Sequence, residues 1–187
     1  DVLRQEIDRT TGNPAGDLTY TVRLRARASA GGKAAVTAMN IAADALQPGL
    51  AGAIHAYHGP GGFSIPGHAY VVWEAHNSNG ELVLKNSMGF EAVEPNGLEV
   101  AVENLVFDKP VPGHLMPDLG KPTHELVVRV DQDVFEGSQN VVTEWLSKNG
   151  EPRGYHLRDQ MCTSFIADVA QQIGISDAPP SRYMPPQ

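Results

Sequence analysis

The chain has one cysteine among its 187 residues, so an internal disulfide bond is excluded. A protein of this length buries enough apolar surface to fold without such a bond, and a single domain over residues 1–187 accounts for it. We expect the core of this domain at about 18–174, with 1–17 and 175–187 as arms. One free thiol leaves the redox compartment open.

Basic residues are few: 14 Lys and Arg stand against 22 Asp and Glu, which gives a net charge of −8. This balance argues against a nucleic-acid partner. Arg23, Arg25 and Arg27 alternate along a predicted strand, and we expect that arginine face to meet water. Long apolar runs are also missing, and none approaches the roughly 20 residues of a membrane span. We therefore expect no stable membrane insertion.

Hydrophobic periodicity predicts an alternation of strands and helices. The predicted strands are 18–28, 68–74, 82–88 and 123–130, with a short one near 98–106, and the predicted helices are 33–46, 134–148 and 162–174. Polar residues from His76 to Gly80 predict a hairpin turn. Five prolines between 91 and 122 indicate a mostly extended connection. The predicted fold class is α+β, a small antiparallel sheet with packed helices.

The cysteine lies at the predicted start of the last helix. Five residues recur there at helical spacing and share one buried face: Cys162, Phe165, Ile166, Val169 and Ile173. Asp159 is the predicted N-cap and Gly174 the predicted C-cap. Unpaired N–H groups at a helix start stabilise a thiolate, so this position predicts a lowered thiol pKa. A small core residue without reactivity fits the same spacing.

A histidine, His68, opens the strand before the hairpin. A cysteine at a helix start and a histidine at a strand start can meet when the helix packs on the sheet, which is the arrangement of cysteine nucleophiles with histidine bases. His55 and His58 are three residues apart, but no cysteine or carboxylate cluster accompanies them at ligand spacing. We expect no metal and no other cofactor.

Two motifs carry a resemblance to a known family. Gly-His-Ala-Tyr-Val-Val-Trp comes first, and Tyr-His-Leu-Arg-Asp-Gln-Met-Cys-Thr-Ser-Phe leads into a helix later. In this order they resemble the circularly permuted papain-like cysteine hydrolases, relatives of the NlpC-type cell-wall peptidases and of the lecithin retinol acyltransferase group. The resemblance spans about residues 66–174. Many relatives carry Asn before the cysteine where this chain has Met161, a departure that bears on the subfamily.

The resemblance implies a papain-like core and a covalent mechanism. His68 would take the thiol proton, and Cys162 would attack a carbonyl to form an acyl-enzyme that water resolves. The third group would come from the strand after the histidine strand. Asn86 is preferred there because an amide oxygen accepts an imidazole N–H directly, with Ser87 and Glu81 as alternatives.

Amidase toxins delivered by bacterial secretion systems are similar. The resemblance therefore implies cleavage of amide bonds in bacterial cell-wall peptides, with peptidoglycan or a peptide as substrate. It also implies an immunity protein as partner, and export to the periplasm of a target cell. Two alternatives stay open: a lipid acyl hydrolase or acyltransferase of the retinol acyltransferase type, and an inactive binding module with the same fold.

Overall fold

A computed structural model describes residues 3–11, 17–27, 68–93, 100, 103–104, 107–146, 153–157 and 160–175. Several predictions from the sequence lie outside these ranges. They are the helix at 33–46, the pair His55 and His58, the N-cap Asp159 and most of the arm at 175–187.

Six strands and two helices occur in these ranges. The strands are β1 (Leu3–Asp8), β2 (Thr19–Arg27), β3 (His68–His76), β4 (Leu82–Ala92), β5 (Gly113–Met116) and β6 (His124–Val130), and the helices are α1 (Gln132–Glu144) and α2 (Cys162–Gln172). The strands form one sheet in the order β1-β6-β2-β3-β4-β5. The predicted α+β class is confirmed, and so is the hairpin between β3 and β4.

The sheet is mixed, which corrects the expectation of an antiparallel one. β1 runs parallel to β6, whereas the other neighbouring strands are antiparallel. β1 lies in the segment 1–17 that the sequence assigned to an arm. Its side chains from Arg4 to Asp8 are exposed, so they show none of the alternation that marks a half-buried strand.

The region from 91 to 122 holds more regular structure than its prolines suggested. β4 continues to Ala92, beyond the predicted end of this strand at residue 88, and β5 adds a fourth antiparallel pair. Two of the five prolines flank β5 without entering it, as a strand requires, since proline cannot donate to the ladder.

The predicted short strand at 98–106 is wrong where the structure describes it. Val100, Glu103 and Asn104 are helical. The buried Asn104 amide donates to the Lys109 carbonyl at 2.7 Å and accepts the Leu157 N–H at 3.0 Å. The Asn104 side chain therefore hydrogen-bonds the backbone of two neighbouring segments, and residues 103 and 104 are not part of a strand.

Two tryptophans join the helices to the sheet. Trp73, in the middle of β3, donates its Nε1–H to Ser138 Oγ on α1 at 2.8 Å. Trp145, just after α1, packs edge-on against Phe90 of β4 at 4.9 Å and Phe165 of α2 at 5.4 Å. Both indoles are 1% exposed, so the hydrophobic core lies between the sheet and the two helices.

Helix α2 confirms the predicted buried face at four of its five residues: Cys162, Phe165, Val169 and Ile173 are each at most 3% exposed, whereas Ile166 is partly buried. Its C-terminus also agrees with the prediction. Gly174 has φ +79°, its N–H bonds to the Gln171 carbonyl, and the Ile175 N–H bonds to the Ala170 carbonyl. This pair of bonds is the Schellman motif, in which glycine is preferred because it adopts positive φ without strain. The N-cap is Met161, so the prediction of Asp159 as the N-cap is wrong.

The other side of the central strands, here called the polar face, carries Arg23, Arg25, Glu74 and Glu125. Glu125 on β6 accepts Arg25 Nε at 2.6 Å, Arg4 Nε at 2.7 Å and Arg23 Nη1 at 3.2 Å. The Arg23 Nε also donates to Glu74 at 2.7 Å. The side chains of Arg25 and Arg23 are 15% and 20% exposed, so the expectation that they meet water is wrong. Their charges are matched by carboxylates on β3 and β6.

The ion pairs determine how Glu125 titrates. Burial by itself raises the pKa of Glu125, but the hydrogen bond and charge of Arg25, with the charges of Arg23 and Arg4, outweigh it and lower the pKa. Its ionised form therefore stabilises the fold above its unfolded-state pKa of about 4.3. That stabilisation is lost as the pH falls through the folded-state pKa.

Replacing this carboxylate should be costly at neutral pH. Glu125→Gln leaves three guanidinium groups without their shared anion, so we expect the free energy of unfolding at pH 7 to fall by about 3 kcal/mol. Stability should then depend less on pH in the acid range. Denaturant titrations at several pH values measure both effects. Glu6→Gln, an exposed carboxylate on neighbouring β1, is the matched control. Equal losses in the two variants would contradict a special role for Glu125.

Candidate functional site

Cys162 is the first residue of α2 and is only 3% exposed. Its burial raises the pKa of the thiol, and the backbone N–H groups of Ala69 and Thr163, which hydrogen-bond the sulfur, offset only part of this effect. The predicted lowering of the thiol pKa is therefore wrong. The helix start supplies an N–H donor as expected, but removal of the sulfur from water outweighs it.

His68 is the first residue of β3, and its ring nitrogen Nε2 faces two carboxylates. Glu91 Oε1 lies 3.1 Å from Nε2, and Asp118 Oδ2 lies 3.2 Å from it. Neither contact has the geometry of a hydrogen bond, so the buried Nε2 atom has no hydrogen-bond partner in the part of the chain that the structure describes. Asp118 Oδ2 also accepts Arg27 Nη2 at 2.8 Å. The imidazole thus lies at the end of the charged row on the polar face.

The ring is held by its neighbours on the sheet. It stacks on Tyr70, with centroids 6.0 Å apart and an interplanar angle of 8°. The Tyr70 hydroxyl donates to the Gly120 carbonyl, and the Gly120 N–H donates to Asp118 Oδ1 at 2.6 Å. These bonds fix Asp118 beside Nε2. Gly89 lies under the ring, where a Cβ atom would be 2.4 Å from Nε2.

Burial and charge act on His68 in opposite directions. Burial lowers the pKa of the imidazole, and Arg27 adds to this, whereas Glu91 and Asp118 raise it. The net effect is a pKa below the ordinary value, which favours a neutral ring at neutral pH.

The two residues paired by the sequence analysis belong to adjoining parts of the fold. Ala69, whose N–H bonds to the Cys162 sulfur, directly follows His68. The Glu91 carboxylate acts on both groups, since its charge raises the pKa of His68 and of Cys162. Helix α2 therefore places the thiol beside the first peptide of β3, within electrostatic reach of the group that flanks the imidazole.

The predicted contact of Asn86 with His68 is wrong. Asn86 is exposed and pairs with Trp73, five residues further along β3, which corresponds to about 16 Å of strand. The alternatives fail in the same way. Ser87 pairs with Val72, and Glu81 lies at the hairpin turn, where it bonds to Asn77.

Glu91 and Asp118 are the neighbours of His68 that the sequence analysis missed. Glu91 could have been found by counting across the hairpin, because the pairing of Tyr70 with Gly89 puts residue 91 opposite His68. The register, however, shifts by one between Ala75 and His76. A count without this bulge gives Phe90 instead. Asp118 comes from an irregular segment and has no comparable signal.

A cavity of about 480 Å³ opens on the helix side of the sheet. Its apolar lining includes Leu24, Ala26, Ala69, Leu126 and Ile166. The backbone N–H of Ala69 hydrogen-bonds the Cys162 sulfur, and Ile166 lies one helical turn after Cys162. The cavity therefore lies near the first two turns of α2, although Cys162 itself does not line it.

Comparisons with known proteins give no family for this chain: no family model matches it, and no curated protein or solved structure was found to be similar to it. Of the helices in the described ranges, none has the length and apolar composition needed to cross a membrane. The resemblance stated from the two motifs accordingly stays a prediction.

The space under the His68 ring should tolerate no side chain at residue 89. Gly89→Ala forces the imidazole away from its position, so we expect a loss of about 1–3 kcal/mol in the free energy of unfolding, as for other overpacked sites. Gly137→Ala is the matched control, because nothing lies within 4 Å of its Cβ and the residue is inside α1. It should gain about 0.5–1 kcal/mol. Chemical denaturation measures both, and a neutral Gly89→Ala would contradict the packing.

Burial should also make the thiol slow to react. We expect Cys162 in the folded protein to react with iodoacetamide at pH 7.5 more slowly than an unstructured cysteine peptide, because both access and thiolate fraction are reduced. Mass spectrometry of timed samples follows the reaction. In denaturant the rate should rise to the peptide value. A folded-state rate above that of the peptide would contradict the raised pKa.

Proposed function

We propose that the protein is a cysteine hydrolase that cleaves amide bonds, with Cys162 as nucleophile and His68 as base. One observation carries the proposal: the Cys162 sulfur bonds to the N–H of Ala69, the residue after His68, at the start of a helix packed on the histidine strand. A thiol, an imidazole and a carboxylate from three separate elements thus lie near the start of β3, where the charge of Glu91 acts on both Cys162 and His68.

His68 would remove the thiol proton as the sulfur attacks the substrate carbonyl. Because the pKa of the thiol is raised, Cys162 is still protonated when the substrate binds, and its proton leaves during the attack. The carboxylates of Glu91 and Asp118 at Nε2 favour the N–H on that nitrogen, which leaves Nδ1 as the acceptor. They also stabilise the imidazolium that forms, as the acid of a serine triad does.

The sulfur and the carbonyl carbon then form a bond, and a tetrahedral intermediate develops. Its oxyanion needs an N–H donor, and the backbone N–H of Cys162 at the start of α2 would serve. The imidazolium returns its proton to the leaving amine, which gives an acyl-enzyme. Water activated by His68 hydrolyses this thioester and frees the thiol.

Peptides of the bacterial cell wall are the substrate class that we propose, in keeping with the resemblance of the two motifs to NlpC-type enzymes. The cavity beside Ala69 and Ile166 suits an apolar group next to the scissile bond. The same cavity favours a second candidate, a lipid acyl hydrolase, because an acyl chain is also apolar. A third reading, a binding module without activity, is favoured by the burial of the thiol.

Activity measurements separate these candidates. Purified protein incubated with peptidoglycan should release free amines or peptide fragments, measured by mass spectrometry, and should leave phospholipid vesicles intact. Cys162→Ala should abolish the release, and His68→Ala should reduce it by roughly 10²–10⁴-fold. Glu91→Gln should lower kcat, whereas Asn86→Ala, remote from the site, should act as wild type.

Other results would replace the proposal. Fatty acid released from vesicles, with peptidoglycan unchanged, would favour the lipid enzyme. Full activity in Cys162→Ala would exclude covalent catalysis by this thiol. No product from either substrate, with the fold intact by circular dichroism, would favour the binding module.

A further inference from the structure

Three side chains of metal-ligand type converge where β3, β4 and the loop after β5 meet. The ligand atoms of His68, Glu91 and Asp118 all lie within 4.8 Å of one another. The His68 side chain is 13% exposed and that of Asp118 is 9% exposed. The Glu91 side chain is 36% exposed, so one buried and one half-exposed carboxylate lie beside the imidazole. A positive charge between them would stabilise this arrangement.

The charges and bonds in the described residues leave this arrangement incomplete. Arg27 is paired with Asp118, whereas Glu91 has no Lys or Arg as an ion-pair partner among the described residues. Within the described ranges the buried Nε2 of His68 has no hydrogen-bond partner, although two carboxylate oxygens lie 3.1 and 3.2 Å from it. Buried polar atoms in folded proteins almost always have a binding partner, so we expect Nε2 to bind a group other than these side chains.

The two distances from the imidazole nitrogen fit a shared cation. Ligands about 2.0–2.1 Å from a tetrahedral zinc ion lie about 3.3 Å from one another. The distances from Nε2 to Glu91 Oε1 and to Asp118 Oδ2 are close to this value. Gly89 keeps the space next to Nε2 clear, because a Cβ there would be 2.4 Å from the nitrogen.

We propose that His68, Glu91 and Asp118 form a binding site for a divalent transition-metal ion of the zinc type. An imidazole in the ligand set favours such ions over Ca²⁺ and Mg²⁺, which prefer oxygen ligands. Two carboxylates neutralise the charge of the ion. Arg27 and the Gly120 N–H hold Asp118, as outer-shell groups hold metal ligands. Three protein ligands leave a fourth position for water.

Metal binding would also change the tautomer of His68. A neutral imidazole has one N–H and one lone pair, so an ion on Nε2 places the proton on Nδ1. Nδ1 then cannot accept the thiol proton. Inhibition of hydrolysis by the metal is a consequence that rests on the proposed function, whereas metal binding itself does not.

A zinc titration of the full chain tests the site without any substrate. The protein is treated with a chelator, dialysed, and titrated with Zn²⁺ in competition with a chromogenic chelator. We expect one ion per chain. His68→Ala, Glu91→Gln and Asp118→Asn should each weaken binding by more than the roughly 10–100-fold that loss of an outer-shell partner causes. Glu91→Gln is nearly isosteric, so it serves if His68→Ala fails to fold.

Two control variants locate the ion. His76→Ala removes a histidine from the other end of β3, and Cys162→Ala removes the thiol; both should bind zinc as wild type does. Nitrogen-15 shifts of the His68 ring should show the ion on Nε2 and the proton on Nδ1. Absence of stoichiometric binding, binding unchanged in Glu91→Gln and His68→Ala, or an equal loss in Cys162→Ala would overturn the proposal.

Discussion

Charged side chains on the polar face of the sheet must be paired, and this constraint links the framework to the site. Arg23, Arg25 and Arg27 point to this face at alternate positions of β2. The first two share Glu125, whose carboxylate also takes Arg4 from the parallel edge strand. The third holds Asp118, which faces the imidazole of His68. One row of arginines therefore stabilises the strand order and also orients an acid beside the proposed base.

The opposite side of the sheet gives the thiol a different environment. Cys162 lies where a helix packs on apolar strand residues, so its charge is disfavoured, yet backbone N–H groups surround the sulfur. A nucleophile in such a place stays neutral until a base takes its proton. The burial that slows random alkylation is then compatible with catalysis, provided that substrate binding and proton transfer occur together.

Features of this fold that depend on neighbouring residues could be predicted from the sequence, whereas features that depend on residues far away in the sequence could not. Helix α2, its buried face and its terminal Gly174 were predicted because short-range periodicity and capping determine them. The strand β1 could not be predicted, since its exposed side chains show no alternation and it joins the sheet through backbone pairing with β6 and the ion pair of Arg4 with Glu125. The arginines of β2 were assigned to water because their partners, Glu74 and Glu125, are far away in the sequence.

The candidate site shows the same division. Cys162 and His68 were predicted from residue type and position at the ends of their elements. Asn86 lies on the correct strand but at the wrong position. The residue opposite His68 can be identified only if the bulge near His76 is known, and if β4 is known to extend four residues beyond its predicted end. The raised thiol pKa depends on how completely the helix covers the sulfur, which is a property of packing. Local patterns do not encode it.

Because of the bulge between Ala75 and His76, the length of the exposed hairpin determines which β4 side chains face the hydrophobic core. Loop tips usually accept insertions and deletions, because few contacts depend on them. Here a slip of one residue between β3 and β4 would turn every β4 side chain to the opposite side of the sheet. Phe90 would leave the aromatic cluster around Trp145, and the Glu91 carboxylate would enter it. Among homologous chains, the hairpin from Asn77 to Glu81 should therefore keep its length even where its residues vary.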